Sequence, residues 1–584
     1  MFQQLESAVK RRVVVAALTI TMLVLIIVIC AAVIIINSES DKTDAQYYNS
    51  GAVAADVGKC SDIGVEILRK GGTAIDSAVA TLLCQGATNV HSSGIGGGLF
   101  MVVYIKKLGK AWFYNGREKA PANASKDMFV NNSQSKQGAL SVGVPGEVSA
   151  MYRAWQEHGK LPWKDLIQPA IGLCKRGFPI SNVLYQQMLN KKNLLYNDTG
   201  FRKLFFKSNG SMLTVNETLV NSELGSTLEK IAEDPMSFYH GAIANRIVRD
   251  IQDAGGIITQ SDMRNYDAGR AEALQVSLDD KHKIWTSHPP SSGPVLAMIL
   301  QILKGFRFNS EDNDGDENLI QNYHRIIEAF KFSYAYRALL GDPEYESGIE
   351  ETVKKMISPT FTEELRKKIK DHKTHNVSYY GGFYSDWNDQ GTTHLSVLSK
   401  EGDAVAVTST INTVFASKMR SPSLGIIYNN EMDDFSTPGQ VNIFGVEPSP
   451  ENFIKPNKRM MSSMSPALVV DDLGNVRLII GASGGTRITT GVAQVLMNYL
   501  WFGMNIQDSV QHPRLHHQLV PTYIRVEKKP KYRMKQAILD GLKKLGHTYK
   551  SFTGSSTVQA IAVDAQDRIY AFSDPRKYGR AAGY

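Results

Sequence analysis

The sequence predicts an α/β protein, because the chain changes from helical to strand-like patterning along its length. Between residues 145 and 380, apolar side chains recur at the helical period of 3.6, as in Leu319–Leu339, and Gly and Pro residues break the segments. Beyond Gly391, apolar and polar residues alternate as they do in strands, in hairpins such as His394–Ser399 with Ala404–Thr410. With 584 residues, 43% of them hydrophobic, the chain can bury a large core.

Composition and motifs exclude several classes of function. The formal net charge of +8 is spread over the chain without a long basic block, so nucleic acid is a poor candidate partner. The glycine-rich stretch Ser92–Gly98 lacks the spacing of a dinucleotide-binding loop. The acidic stretch Glu311–Glu317 lacks the first and last ligands of a calcium loop, so we interpret it as a solvated loop. We therefore expect neither a cofactor nor a metal ion.

An uncharged apolar run, Val13–Ile36, predicts a transmembrane signal anchor. A helix of this length spans about 36 Å, which exceeds a hydrocarbon core of about 30 Å. Basic residues at positions 10–12 precede the run, so we expect residues 1–12 in the cytosol. A stalk, residues 37–50, and an extracellular catalytic domain would follow, as in a single-pass type II protein of the cell membrane. The alternative is a cleaved signal peptide, although the run is long for one and lacks a clear small-x-small exit.

Several Asn-x-Ser/Thr triplets agree with exposure outside the cytosol, where N-glycans are added. They begin at Asn123, Asn131, Asn197, Asn209, Asn216 and Asn376. Each triplet alone is weak evidence, because such triplets also arise by chance.

Two of the four cysteines are predicted to form a disulfide. Ala52–Val90 has the pattern of two helices broken at Gly71-Gly72, and Cys60 and Cys84 each lie twelve positions from Gly72. In an antiparallel helical hairpin, residues equally distant from the turn lie side by side. A bridge is therefore expected in an oxidising compartment. The alternative is a pair of free, buried cysteines.

The candidate nucleophile is Thr392, which follows the small residue Gly391 where a polar loop runs into a strand. If the chain is cut between these two residues, Thr392 gains a free α-amino group beside its own hydroxyl. The reference pKa of such an amine is about 7.7–8.0, so it can act as a base near neutral pH. An N-terminal threonine is one known solution to nucleophilic catalysis. The alternative is a solvated loop and an ordinary strand start.

Hairpin geometry predicts the neighbours of Thr392. Extending the ladder from the turn at residues 400–403 places Thr392 opposite Ile411, with Thr410 and Asn412 beside it. The hydroxyl of the nucleophile is therefore expected near other small polar side chains.

A second hairpin, with its turn at residues 471–475, brings further polar groups together. When its ladder is extended, Ser462 lies opposite Gly484. We therefore expect Ser462 and Ser463 beside the loop Gly481–Gly485, whose exposed amides could hold an anion.

Several motifs, taken together, resemble those of the gamma-glutamyltransferases, which are also called gamma-glutamyl transpeptidases or glutathione hydrolases. The motifs are Gly391–Val397, Thr408–Asn412, Asn429–Phe435, Ser462-Ser463, Gly484-Gly485 and Ala581–Tyr584. The resemblance is strongest to the membrane-anchored animal enzymes. It runs from about Ala52 to the last residue and includes the N-terminal anchor.

The resemblance implies an N-terminal nucleophile hydrolase, an α/β protein with a four-layer αββα sandwich that is made as one precursor. The precursor is expected to cut itself between Gly391 and Thr392. The products would be a large fragment, residues 51–391 of the catalytic domain, and a small fragment, residues 392–584. The two fragments would remain together as a heterodimer.

The resemblance also implies the reaction. Thr392 would attack the γ-glutamyl amide of glutathione or of a glutathione S-conjugate, and pass the glutamyl group to water or to an amino acid or dipeptide. Thr410 would support Thr392. The amides of Gly484 and Gly485 would form the oxyanion hole, where removing one donor costs on the order of 3 kcal/mol of barrier.

The remaining implied site residues bind the glutamyl head group. Arg117, Ser462 and Ser463 would hold the α-carboxylate, Asn412, Glu431 and Asp434 would hold the α-ammonium, and Thr410 and Gly485 would complete the set. The charges agree independently, because a zwitterion needs a cation for its carboxylate and acidic groups for its amine. From the residues alone, Arg117 could instead be a surface residue, and Glu431 with Asp434 an exposed acidic turn.

Two positions depart from the family pattern. Thr393 stands where the family often has Ala, and strand alternation is expected to point it to the other face of the strand from Thr392. Val414 stands where the animal enzyme has Tyr, which puts the acceptor preference in doubt. His394 lies near the nucleophile, but we expect a structural role because the terminal amine already supplies the base.

Two alternative functions remain open at this point. One is another acylase of the same nucleophile class that acts on a different acyl group. The other is an uncleaved, inactive homologue that serves as a cell-surface binding protein.

Overall fold

The computed structural model describes residues 21–22, 47–381, 391–439 and 448–584. The chain divides into residues 1–47 and a folded unit, residues 48–584. Within the predicted membrane segment the described residues are Thr21 and Met22, which are helical. The rest of that segment, the predicted tail and most of the stalk lie outside the described residues. None of the helices in the described part is both long enough and apolar enough to span a membrane.

The strands of the folded unit are numbered in chain order. They are β1 (Ala52–Ala55), β2 (Gly98–Ile105), β3 (Lys110–Gly116), β4 (Phe178–Pro179), β5 (Thr218–Leu219), β6 (Gly269–Glu272), β7 (Leu274–Ser277), β8 (His282–Thr286), β9 (Gly391–Leu398), β10 (Ala404–Asn412), β11 (Ala467–Asp471), β12 (Val476–Ser483), β13 (Leu515–His516), β14 (Ile524–Glu527), β15 (Tyr549–Phe552), β16 (Thr557–Val563), β17 (Ile569–Ser573) and β18 (Ala582–Gly583).

The helices are numbered in the same way. They are α1 (Gly58–Arg69), α2 (Ala74–Thr88), α3 (Asn132–Lys136), α4 (Glu147–His158), α5 (Trp163–Arg176), α6 (Asn182–Asn190), α7 (Lys192–Asn197), α8 (Thr199–Phe205), α9 (Ser222–Glu233), α10 (Ala242–Asp253), α11 (Gln260–Arg264), α12 (Gly293–Lys304), α13 (Asp316–Arg337), α14 (Ile349–Met356), α15 (Pro359–Lys368), α16 (Arg487–Leu500), α17 (Ile506–Gln511) and α18 (Gln536–Lys544).

Two antiparallel sheets form the centre of the unit. The first has seven strands in the order β18-β1-β9-β10-β2-β3-β6, and the second has six in the order β17-β16-β12-β11-β8-β7. Strands β9 and β10 of the first sheet pack on β12 of the second. Helices α2 and α4 cover the outer face of the first sheet, and α12 and α16 cover that of the second. The layers are therefore helix, sheet, sheet, helix, and the predicted α/β class is confirmed.

Strand alternation explains how one strand serves two cores. In β2, Phe100 and Val102 belong to the core that includes the second sheet, whereas Leu99 and Met101 belong to the core beneath α2 and α4. Successive side chains of a strand point to opposite faces, so a sheet with a core on each side needs continuous apolar runs. Polar side chains in the middle strands are therefore buried, and they need other polar groups as hydrogen-bond partners.

The register of the β9–β10 hairpin differs by one residue from the prediction. The structure pairs Thr392 with Thr410 rather than with Ile411. The reason is the turn: the Ser399 amide donates to the Asp403 carbonyl at 2.9 Å, and β9 ends before Ser399. A shift of one residue exchanges the two faces of a strand. The register therefore decides which side chain of β10 lies beside Thr392.

The second hairpin also departs from the prediction. A bulge between Val469 and Val470 shifts the β11–β12 ladder, and Ser462 lies before β11 begins, so it does not pair with Gly484. The Ser462 amide instead donates to the Pro290 carbonyl at 2.7 Å.

The predicted helical hairpin is present, but it starts later than expected. Ala52–Ala55 forms strand β1 because it pairs with β9 and β18, and α1 and α2 follow it. Cys60 in α1 and Cys84 in α2, the two residues that the sequence analysis paired, are joined by a disulfide with Cα atoms 5.4 Å apart. Cys174 is buried and remains a free thiol.

Candidate active site

Thr392 is the second residue of β9, near the centre of the first sheet. Its side chain is buried, and its Oγ1 has no hydrogen-bond partner among the described residues. Buried hydroxyls are nearly always hydrogen-bonded, so an unpartnered one calls for an explanation. A nucleophile that awaits a substrate is such an explanation.

Thr410 contacts the peptide bond before the nucleophile. Its hydroxyl donates to the Gly391 carbonyl at 2.5 Å and accepts from the Asn412 amide at 2.8 Å. A donor on a carbonyl oxygen draws electron density from the carbonyl carbon. The hydroxyl of Thr410 is therefore placed to polarise the bond between Gly391 and Thr392.

Thr393 points away from the nucleophile. Its Oγ1 lies 2.7 Å from Asp56 Oδ2 and 2.8 Å from Gln85 Oε1, on the other face of β9. The second hydroxyl beside the predicted cut is therefore held by other partners.

Lys577 contacts the backbone of Thr392 and is held in turn by Asp56; the sequence alone indicated neither residue. Lys577 Nζ donates to the Thr392 carbonyl at 2.8 Å and to Asp56 Oδ2 at 2.5 Å. Asp56 Oδ1 accepts from Gln559 Nε2 at 2.5 Å. Asp56 follows β1 and Lys577 lies near the C-terminus, 521 positions apart, so no local pattern could have joined them. The only feature of the sequence that could have indicated Lys577 was its position just before the motif Ala581–Tyr584.

Gly484 and Gly485 form the link between β12 and α16. Their φ angles are +130° and +62°, in the region that favours glycine. A Cβ on Gly484 would lie 2.8 Å from the Ser556 Cα, so this position accepts no side chain without a shift. Gly484 lines the same cavity as Thr392. Gly484 thus lies beside Thr392 and Gly485 follows it, directly before a helix whose N-terminal amides favour negative charge.

Arg117 lies at the centre of a buried charge cluster directly after β3. Its guanidinium bonds to the carboxylates of Glu431 and Asp434, and it donates to the carbonyls of Met461 at 3.1 Å and Met460 at 3.3 Å. The side chain of Arg117 is fully buried. Arg117 is therefore no surface residue, and Glu431 with Asp434 is no exposed turn.

The cluster contains more carboxylates than cations. Glu118 Oε2 lies 3.7 Å from the Arg117 guanidinium, and Glu118 has no hydrogen-bond partner on either oxygen among the described residues. Burial raises the pKa of Glu118 to about 8 and raises the pKa values of Glu431 and Asp434, with Arg117 opposing each shift. Glu431 Oε2 also has no partner in the described part of the chain. A bound ammonium group would oppose these shifts, because a nearby positive charge favours the ionised form of a carboxyl group.

Asn412 connects this cluster to the nucleophile. It pairs with Gly391 at the end of the β9–β10 ladder and has a φ of +75°. Its Nδ2 donates to the Asn430 carbonyl at 2.9 Å, next to Glu431, while its Oδ1 has no described partner. An acceptor atom is thus free between the nucleophile and the acidic groups.

The two predicted serines meet a cation that the sequence analysis missed. Arg337, at the end of α13, donates to Ser463 Oγ at 3.3 Å and to Ser292 Oγ at 3.2 Å, and Ser292 in turn donates to the Ser462 carbonyl at 2.6 Å. Arg337 is buried. It brings a second guanidinium to the segment that also supplies the Met460 and Met461 carbonyls, and nothing in its helical surroundings signalled this.

A cavity of about 210 Å³ opens beside Thr392. Val414, the position that departs from the family pattern, lies in its wall with His91 and Phe552. The described residues of its lining do not include Arg117, Glu431, Ser462 or Ser463. Thr392, the candidate nucleophile, therefore has two different surroundings, a buried charge cluster and an open cavity.

His394 is held in a structural network. Its Nδ1 lies 2.8 Å from Thr408 Oγ1 and its Nε2 lies 3.2 Å from Ser396 Oγ. Burial lowers the pKa of His394 to about 3. The ring thus stays neutral at physiological pH, in agreement with the expected structural role.

In the described part of the chain, one group of side chains has the spacing of metal ligands: His324, Glu328 and His547. Protein groups already satisfy it. Glu328 accepts from Lys331, Thr374 and Tyr380, and the two rings bond to each other at 2.8 Å. Because the ammonium of Lys331 lies 3.0 Å from Glu328, this group is better described as a buried hydrogen-bond network.

Comparison with known proteins is consistent with this geometry. The chain is 43% identical over 506 residues to Scoloptoxin SSD14 of Scolopendra dehaani, covering 86% of this chain and 87% of that protein. It is 41% identical over 552 residues to Glutathione hydrolase 2 of Arabidopsis thaliana, covering 91% and 94%. A solved structure, cephalosporin acylase from Bacillus halodurans, has the same fold with a TM-score of 0.80 at 24% identity, over 93% of this chain and 97% of that one. The family described as Gamma-glutamyltranspeptidase matches residues 60–584. The chain belongs to the gamma-glutamyltranspeptidase family.

Proposed function

We propose that this protein is an autoprocessing γ-glutamyltransferase and glutathione hydrolase. The mature enzyme takes the γ-glutamyl group from glutathione or a glutathione S-conjugate and passes it to water, an amino acid or a dipeptide. The observation that carries the proposal is the unpartnered hydroxyl of Thr392 beside a buried cluster with a surplus of carboxylates. Family membership and the glutathione hydrolase names of relatives support it.

The first reaction cuts the chain. Thr392 Oγ1 attacks the Gly391 carbonyl carbon, which Thr410 polarises, and the bond from that carbon to the Thr392 nitrogen breaks. Water then hydrolyses the resulting ester. The products are a carboxylate on Gly391 and a free amine on Thr392, which begins the 392–584 fragment. This fragment and the 51–391 region remain together as a heterodimer, since β9 of the small fragment pairs with β1 of the large one.

The second reaction uses the new amine. The amine takes the proton of Thr392 Oγ1, which attacks the γ-carbonyl carbon of the donor. The amides of Gly484 and Gly485 stabilise the oxyanion, and the departing amine takes the proton as the carbon–nitrogen bond breaks. The γ-glutamyl ester then reacts with water or an acceptor amine. Lys577, held by Asp56, fixes the Thr392 carbonyl, so the amine and the hydroxyl keep their relative positions.

The head group of the donor binds in the Arg117 cluster. The α-carboxylate binds the Arg117 guanidinium by replacing one of its bonds to the protein carboxylates, and it also contacts Ser462 and Ser463, of which Arg337 orients Ser463. The α-ammonium takes the place beside Glu431 and Asp434 that the arginine alone does not neutralise, with Asn412 as a further acceptor. A neutral acyl group would offer these carboxyl groups and arginines no charged partner, which disfavours an acylase that acts on a different acyl group.

The location of the enzyme is part of the proposal. Residues 1–12 form a cytosolic tail, 13–36 a membrane anchor and 37–50 a stalk, so the catalytic domain faces the outside of the cell membrane. The asparagines of the glycosylation triplets support this, because all are exposed: Asn123, Asn131, Asn197, Asn209, Asn216 and Asn376. The disulfide between Cys60 and Cys84 also suits an oxidising compartment.

The experiment that tests the function is N-terminal sequencing of the smaller fragment, combined with release of glutamate from glutathione. We expect the sequence Thr-Thr-His-Leu, which begins at Thr392. A full-length, active single chain would overturn the proposal. A single inactive chain would favour the uncleaved binding protein instead.

A further inference from the structure

The cavity beside Thr392 carries a marked excess of positive charge. Among the described residues of its wall, five are basic and one is acidic. The basic residues are Arg487, Lys528, Lys529, Arg576 and Lys577, and the acidic residue is Glu527. His91 adds no charge, because burial and the nearby Lys577 lower its pKa to about 3.

Ion pairs within the protein neutralise only part of this charge. Arg576 pairs with Glu527 at 2.6 Å, and Lys577 pairs with Asp56 at 2.5 Å. Lys528 and Lys529 are exposed and form no ion pair with a described residue. These two lysines therefore present positive charge to whatever enters the cavity.

The backbone that carries the two lysines is fixed. They follow β14, which pairs with β13 and β15, and the Lys528 amide donates to the Phe552 carbonyl at 3.0 Å. Their ammonium groups stand on flexible stems, so they can reach carboxylates at more than one position. The site is thus a rigid mouth with adaptable charges.

The leaving group of glutathione brings a single carboxylate to this cavity. Two residues beyond the attacked carbonyl span about 7 Å when extended, so the terminal carboxylate lies within or at the mouth of the cavity. One carboxylate cannot compensate the charge that the wall presents. A leaving group or acceptor with a second carboxylate would do so more completely.

We propose that the cavity selects leaving groups and acceptors that carry more than one carboxylate, such as acidic dipeptides, with Lys528 and Lys529 binding the additional one. This inference rests on the proposed function, because it concerns the departing and accepting half of the same reaction. It adds a charge preference to that reaction, set by residues outside the family motifs.

Three donors test the inference on the full, processed protein. They are γ-glutamyl-cysteinyl-glutamate, glutathione and the C-terminal amide of glutathione, which differ by one carboxylate at each step. We expect kcat/KM to fall in that order. In the double variant Lys528→Gln/Lys529→Gln, the ratio of the first donor to the amide should fall by about fivefold, since an exposed ion pair contributes up to about 1 kcal/mol. Lys531→Gln, an exposed residue outside the cavity wall, should keep the wild-type ratio.

A second measurement needs no variant. Exposed charges are screened by salt, so the same ratio in the wild-type protein should fall several-fold between about 0.01 M and about 1 M ionic strength. Equal kcat/KM for the three donors, or a ratio unaffected by both the double substitution and salt, would overturn the inference. Failure to release glutamate from any donor would instead overturn the proposed function, so the two failures are distinguishable.

Discussion

Thr392 lies between two regions of opposite charge. On one side, the Arg117 cluster is closed to solvent and holds more carboxylates than cations. On the other side, the cavity with Lys528 and Lys529 is open and holds more cations than carboxylates. In the proposed reaction both regions bind charged parts of the same class of substrate, yet one is closed to solvent and the other is open.

The difference explains which half of the substrate is fixed and which half varies. A buried charge without a partner costs several kcal/mol, so the Arg117 cluster strongly favours one zwitterionic head group. Exposed charges contribute about 1 kcal/mol or less and are screened by salt, so the cavity only ranks its ligands. A transferase needs this division, because one acyl group must pass among many acceptors.

The largest expected effect is at Thr392, which lies between the two regions. Thr392→Ala removes the hydroxyl that performs both proposed reactions, so the chain should remain one band on a denaturing gel. Its glutamate release should fall by at least about 10⁴-fold. Thr393→Ser, which keeps the hydroxyl on the other face, should still be cut. Two fragments in Thr392→Ala would contradict the assignment of the nucleophile.

The second effect concerns the closed region. Arg117→Lys keeps a positive charge but removes the planar fork that joins Glu431 and Asp434. We expect kcat/KM for glutathione to fall by about 150- to 5,000-fold, because a disrupted buried pair costs about 3–5 kcal/mol. Arg153→Lys at the surface is the matched control. A fall of less than tenfold, with processing and folding intact, would show that the fork is not needed.

A smaller effect is expected at the edge of the closed region. Arg337→Met removes the donor to Ser463, so KM for glutathione should rise by about tenfold, as expected for a lost hydrogen bond from a charged group. The value of kcat should change less. Arg325→Met, on the same helix but paired with Asp371, should leave KM unchanged. A fall in kcat alone would contradict the binding role.

The fourth prediction concerns the pH dependence of stability at the cavity. The pKa of His91 is about 3 in the folded protein and about 6.5 when unfolded, so the native state resists protonation. Its contribution to stability is complete above pH 6.5 and is lost as pH falls toward 3, at up to about 1.4 kcal/mol per pH unit. The free energy of unfolding of His91→Gln, measured with urea, should therefore fall less between pH 6.5 and pH 5 than that of the wild type. Equal falls in the variant and the wild type would mean that His91 is already charged. The control is His372→Gln at an exposed position, which should show the same pH dependence of stability as the wild type.

Local features of the site could be predicted from the sequence. A small residue before a hydroxyl at a strand start indicated Thr392, and hairpin geometry brought Thr410 and Asn412 near it. The hairpin error of one residue arose because the turn kept Ser399, a hydrogen-bond detail that alternation does not encode. The strand at Ala52–Ala55 was missed because four small residues carry no period, and pairing with β9 decides their conformation.

Distant parts of the site depended on family resemblance or were missed. Arg117 and Glu431 are 314 positions apart, and only the resemblance joined them before the structure did. The resemblance did not indicate Asp56, Lys577 or Arg337. Each is a common charged residue whose role comes from a partner far along the chain.

The sequence by itself determined the α/β class, and together with the family resemblance it predicted the nucleophile and the side chains that would bind a γ-glutamyl head group. These follow from the backbone periods of helices and strands and from the chemistry of individual residues. The tertiary structure alone decided the balance of charge around Thr392, because burial and ion pairing depend on contacts between distant segments. It thereby separated a closed, acid-rich region from an open, basic one, a distinction that the net charge of the whole chain does not reveal.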